Sequence, residues 1–154
     1  MSTHHTISKD KLALSLTGLL TGCGDPLVGD WELVDIRPGG LSISYSYSGY
    51  DGSCGSYSYD LDAELYGLLA IDSELEARFE LDIALSYEYD SDYCGSDSVQ
   101  YTYEYTYSGK AERDGDTYEI RLRDDTESMD LSCKLDGSEL RCEAEDETYI
   151  FEQL

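Results

Sequence analysis

The chain has 154 residues and carries 34 Asp and Glu against 10 Lys and Arg, a net charge of −24 at neutral pH. That length suits one domain with its own core. That charge repels phosphate backbones and excludes nucleic acid as a partner. No apolar run reaches the roughly 18 residues of a membrane-spanning helix, and no G-x-G-x-x-G or P-loop pattern occurs.

Near the N-terminus, Lys9 and Lys11 flank an apolar run over residues 12–20 (LALSLTGLL), which leads into Leu20-Thr21-Gly22-Cys23. A basic start, a short apolar core and small residues at a cleavage point make up an export signal. The run is too short for a bilayer-spanning helix, which needs about 20 residues. The tetrapeptide resembles the lipobox of bacterial lipoproteins. The resemblance implies that residues 1–22 are a signal peptide that is removed and that Cys23 becomes a lipid-modified N-terminus. The protein is then held on a membrane of the bacterial cell envelope, facing the periplasm or the exterior. Each buried methylene contributes about 0.8 kcal/mol, so two or more acyl chains hold firmly. Residues 23–28 would be the lipidated cysteine and a short tether, and residues 29–154 a single β domain.

Processing would also discard both histidines, His4 and His5, and lower the net charge to −25. A chain without imidazole has no Ser-His-Asp or Cys-His machinery and no histidine-ligated zinc or haem. Carboxylates are abundant, but nothing marks two of them as a glycosidase-type pair. The expectation is a noncatalytic protein without cofactor or metal. Asp90-Ser91-Asp92-Tyr93-Cys94-Gly95 has the acids and glycine that open a calcium loop. Tyr101, however, stands where the bidentate glutamate belongs, so the stretch reads as a solvated acidic turn.

Beyond the tether, apolar and polar residues alternate, as in strands with one buried and one wet face. Residues 31–36 predict a first strand. Residues 41–47 and 57–61 also alternate and flank a Ser/Gly/Tyr-rich loop over 48–56. Residues 61–75 are ambiguous, although 67–71 can pair with the strand from Ala77 through a turn at Asp72-Ser73. Phe79, Leu81, Ile83, Leu85, Tyr87 and Tyr89 mark one long strand, and Val99, Tyr101, Tyr103, Tyr105 and Tyr107 another. After an Asp114-Gly115-Asp116 turn come strands marked by Tyr118, Ile120 and Leu122, by Met129 to Leu135, and by Leu140 to Ala144. Residues 149–151 end the sheet. The pattern is all-β, an antiparallel up-and-down meander of about 8–10 strands. Closing it as a barrel removes exposed edges; an open sandwich is the alternative.

Five cysteines leave one over, and lipidation of Cys23 removes the oddity. Cys54, Cys94, Cys133 and Cys142 allow three pairings. A hairpin with a two-residue Gly137-Ser138 loop brings Cys133 opposite Cys142 and Leu135 opposite Leu140. Cys54 and Cys94 then pair by elimination and staple two loops. A four-cysteine zinc site competes with this reading but lacks C-x-x-C spacing.

Gly29-Asp30-Trp31, at the start of the first strand, resembles the G-x-W opening of lipocalins and of lipocalin-like domains in bacterial lipoproteins. The closing Tyr149-Ile150-Phe151-Glu152 is similar to the last strand of such domains. The resemblance implies a lipocalin-like barrel with Trp31 plugging its closed end. The arginine that lipocalins stack on that tryptophan has only Arg141 as a counterpart. Fifteen tyrosines stand against two phenylalanines, and Tyr87, Tyr89, Tyr101, Tyr103, Tyr105 and Tyr107 are the candidate lining of a ligand cavity, apolar at one end and wet at the other. The functions that follow are carriage of a small hydrophobic or aromatic ligand or, with a filled core, a structural or interaction role in the envelope.

Overall fold

The computed structural model describes residues 24–154. Among the described residues nine strands make up the fold: β1 (Gly29–Arg37), β2 (Ser42–Asp51), β3 (Gly55–Ile71), β4 (Glu76–Ser91), β5 (Gly95–Asp114), β6 (Thr117–Arg123), β7 (Ser128–Asp136), β8 (Glu139–Ala144) and β9 (Glu147–Gln153). From β2 to β9 each strand pairs antiparallel with the next. Strand β1 pairs with β9 and also with β3, where Gly29 faces Ile71 and Glu32 faces Leu68. The ring therefore closes through β1. Eight strands form an all-β antiparallel barrel, and β2 lies outside it as an added strand on the far half of β3. The expected meander and closure hold, and the open sandwich is excluded.

Period-two alternation sends one side-chain set inward. Trp31, Phe79 and Phe151 are fully buried, and Phe79 meets Phe151 edge-on with ring centroids 5.8 Å apart. A bulge between Leu33 and Asp35 shifts the β1 register, so that Ile36 is buried as well as Leu33. The Cys133–Cys142 disulfide lies in this core with both residues at 0% exposure. Cys133 faces Cys142 and Leu135 faces Leu140, as the hairpin spacing predicts. The buried side chains form one contiguous cluster inside the barrel.

Two glycines allow strands to approach closely. A Cβ on Gly109 would lie 1.7 Å from the Arg121 carbonyl oxygen, where β5 turns into the barrel. A Cβ on Gly67 would lie 2.8 Å from Leu33 Cδ2, so the leucine fills the space the glycine leaves.

One end of the barrel is capped by the segment before β1. Leu27 has 0% exposure, its carbonyl accepts the Trp31 Nε1–H at 2.9 Å, and the Asp25 carboxylate accepts the Tyr118 hydroxyl at 2.9 Å. Residues 25–28, read from sequence as tether, are thus built into the domain, because Leu27 completes its core. The expected loop over 48–56 is also shorter than its composition suggests. Strand β2 runs to Asp51 and β3 resumes at Gly55. Gly49 faces Tyr57 in register, and a Cβ there would lie 2.6 Å from the Tyr57 hydroxyl. The glycine makes room for a ring on the neighbouring strand. The ambiguous stretch from residue 61 is strand up to Ile71.

Candidate functional site, an open tyrosine face

Strands β3, β4 and β5 have 17, 16 and 20 residues, whereas β6 to β9 have between 6 and 9. The long strands outrun the ring. Strand β6 reaches β5 only as far as Ser108. Beyond the Phe79–Tyr107 pair, β4 and β5 continue together to Ser91 and Gly95, and β2 joins β3 alongside. The result is a four-stranded sheet standing about 40 Å past the barrel, at about 3.3 Å per residue.

The barrel's inward parity continues onto one face of this extension. Tyr47, Tyr59 and Tyr89 sit in one cross-strand row. Tyr45, Leu61, Tyr87 and Val99 form the next, and Ile43, Ala63, Leu85 and Tyr101 the one below. Toward the barrel, Tyr103 pairs with Ile83 and Tyr105 with Leu81. Nothing covers this face among the described residues: Tyr45 is 59% exposed, Tyr101 53% and Tyr103 45%. The opposite face is mostly Ser, Thr, Asp and Glu, with the Ser44 and Ser46 hydroxyls donating to Asp62 and Asp60.

Ring contacts knit the outer rows. Tyr59 lies 4.9 Å from Tyr89 and 5.6 Å from Tyr87 between centroids, and Tyr57 meets Tyr59 edge-on at 5.5 Å. Such pairs each add about 0.5–1.5 kcal/mol beyond buried area. Desolvation, then neighbouring Tyr59, holds the Tyr87 phenol above its ordinary range, with Asp97 adding to the shift. A hydrogen bond with Tyr47, and then desolvation, do the same for Tyr57. These phenols are neutral donors at physiological pH.

The tip is latched. Cys54 and Cys94 are joined by a disulfide across the β2–β3 and β4–β5 turns, with Cα atoms 5.0 Å apart. Around it the Tyr93 N–H donates to the Cys54 carbonyl, and the Ser56 N–H to the Asp92 carboxylate, both at 3.0 Å. Asp51 accepts backbone N–H groups from Ser53 and Cys54, which hold its carboxyl below the usual range. Residues 42–65 and 81–107 together contain ten Asp and Glu and no Lys or Arg. Every basic residue after the proposed signal therefore lies outside the extension.

The sequence-predicted site residues divide accordingly. Cys23 lies outside the described residues. Trp31 is fully buried beneath Leu27 at the capped end. Tyr87, Tyr89, Tyr101, Tyr103 and Tyr105 share the open face and do not surround an enclosed cavity. The ring needs fewer residues per strand than β4 and β5 supply, so the alternating set leaves it. Tyr107 alone belongs to the barrel, buried and stacked on Phe79 at 6.4 Å, and burial raises its phenol pKa. Sequence reasoning missed Tyr45, Tyr47, Tyr57 and Tyr59 as members of the same face. Their odd-numbered alternation was visible; the pairing that aligns them with Tyr87 and Tyr101 was not.

A second concavity lies where β1 and β2 part company on β3. This open groove of about 700 Å³ is lined by Leu33, Leu41, Leu65 and Leu68 together with Glu32, Glu64, Glu80 and Asp82. Among the described residues, no group of three or more Cys, Asp or Glu is gathered as a metal site. Set against family models, curated proteins and solved structures, the chain gives no match.

Proposed function

We propose that this chain is a membrane-anchored, noncatalytic lipoprotein of the bacterial envelope, with a lipocalin-like barrel as its base and the tyrosine sheet as its contact surface. One observation carries the reading: the two ends of the molecule have opposite characters. Residues 25–28 fold into the capped end of the barrel, and Cys23 is two residues upstream of Asp25. A lipid on Cys23 would hold that end at the bilayer. Strand β4 runs from the capped end toward the tip, so the extension would project away from the membrane. The large buried side chains inside the barrel, Trp31, Phe79 and Phe151 among them, support a structural or interaction role over carriage inside it.

Fractionation tests the anchor. The wild-type chain, expressed in a bacterium, should enter the membrane fraction with an acylated N-terminal Cys23. Cys23→Ala should give an unprocessed or unacylated form. Normal cleavage and acylation of that variant would overturn the reading.

The groove beside Leu33 and Leu65 favours a second reading, a small hydrophobic or aromatic ligand held outside the barrel. Native mass spectrometry of protein purified from its own envelope should then show a bound molecule of discrete mass. Leu65→Asp should lose it.

A further inference from the structure

We infer that the tyrosine face docks a cationic, arginine-rich polypeptide segment. The inference deepens the contact-surface reading above and rests on it.

The first argument is charge. The extension carries ten carboxylates and no base, while the barrel holds all eight Lys and Arg that follow Cys23. The rest of residues 24–154 still has a net charge of −15 against −10 for the extension, so a partner of positive charge is attracted to the whole molecule, and the exposed rings decide where on it the partner settles. Asp60, Asp62, Glu64, Asp82, Glu88, Asp90 and Glu104 lie on the opposite face of the sheet, but Asp97 faces Tyr89 in register and Asp51 neighbours Tyr57 at the tip, so two carboxylates sit at the outer margin of the aromatic face. Acidic partners and anionic membrane surfaces are repelled by the same field.

The second argument is side-chain chemistry. A sheet face meant for permanent burial is made of Val, Ile, Leu and Phe. Here the outer rows are tyrosine, which offers a rigid ring at low entropic cost and a hydroxyl that tolerates water between encounters. Exposed tyrosine rings fit guanidinium groups, which stack on ring faces and, at the outer rows, can donate to Asp51 and Asp97 as well. A Lys ammonium shares the charge but not the stacking.

The third argument is area. Four strands about 4.8 Å apart and about 30 Å of apolar rows give roughly 600 Å² per partner. Doubled, that is the bottom of the range for stable complexes. A second copy of the chain would meet this small interface with its own net charge of −24. An oppositely charged partner adds attraction where the copy adds repulsion.

The test uses the full-length protein in neutral detergent, titrated with fluorescent oligo-arginine, oligo-lysine, oligo-glutamate and a neutral oligosaccharide at several salt concentrations. Oligo-arginine should bind several-fold tighter than oligo-lysine, and binding should weaken as salt rises. Replacing the exposed edge tyrosines, Tyr101→Ser with Tyr103→Ser, should weaken oligo-arginine binding about tenfold at every salt concentration. The corresponding Phe variants should restore it, because the rings remain. If the Ser variants fail to fold, Tyr45→Ser on the opposite edge strand replaces them, with an expected loss of a few-fold.

Equal affinity for both cations, with no effect of the tyrosine changes, would overturn the proposal in favour of bare charge attraction. Preferential binding of the oligosaccharide or of neutral vesicles would overturn it too. So would a dimer by sedimentation that the Ser variants abolish. The anchor experiment is independent: a failed fractionation leaves the peptide result standing, and a failed titration leaves the anchor standing.

Discussion

Gly109 is the position where one atom matters most. Its missing Cβ would overlap the Arg121 carbonyl oxygen, and a backbone atom cannot move aside as a side-chain end can. Gly109→Ala should therefore destabilise the protein by about 2 kcal/mol or more in denaturant unfolding, an overpacking cost of the usual size. Leu27→Ala should cost a similar amount by leaving a cavity under Trp31. A tether residue would cost almost nothing, so this measurement separates cap from tether. Sequence reading went astray at these same small-residue and turn-like positions. Gly49 and its serine neighbours carry the composition of a loop, yet Gly49 is in a strand because Tyr57 occupies its empty side-chain space. Leu27 follows Pro26 in what looks like a linker, and only the folded barrel shows the hole it fills. By contrast, Cys133 and Cys142 were legible, since a two-residue turn fixes their register locally.

Turns and strands supply the next set of expectations. The Asp124 carboxylate accepts N–H groups from Thr126 at 2.7 Å and Glu127 at 2.6 Å in the β6–β7 turn, and these bonds hold its pKa below 3.8. A depressed carboxyl contributes stability above its unfolded value, and the contribution is lost as pH falls through the folded value. The loss therefore belongs below about pH 4. Asp124→Asn keeps an acceptor but removes the charge, so it should flatten the acid limb of a pH–stability curve below that pH. The extension should respond differently from the barrel when its latch is cut. With Cys54→Ser and Cys94→Ser together, amide exchange should quicken in β2 and in the outer halves of β3, β4 and β5. Barrel amides in β6 to β9 should keep their protection, because the disulfide lies at the tip, far from their hydrogen bonds. Equal acceleration everywhere would mean that sheet and barrel unfold as one unit. Strand existence was readable from alternation, but strand length was not. Nothing local in Phe79 to Tyr89 says which residues line a ring and which stand outside it.

Across the whole molecule, charge and topology dominate. A net charge of −24 on a chain of this size strains the compact state by self-repulsion. Raising salt from low to physiological strength should therefore raise the thermal midpoint by several degrees, as screening shortens the reach of each carboxylate. Exposed ion pairs such as Arg78–Glu80 at 2.7 Å are worth little and lose a little under the same change. A midpoint that falls with salt would show that these pairs outweigh the general repulsion.

The doubly paired first strand has a consequence for the order of events during folding. Glu32 must meet Leu68 on one side and Glu152 on the other, so closure joins segments separated by most of the chain. Hairpins from β2 to β8 assemble from neighbours in sequence, whereas the seam waits for Glu147–Gln153 to become available. Such distant contacts come at a loop-closure cost and form slowly. A chain threaded out N-terminus first would thus stay an open, curling ribbon until its last strand arrived, and only then become a ring.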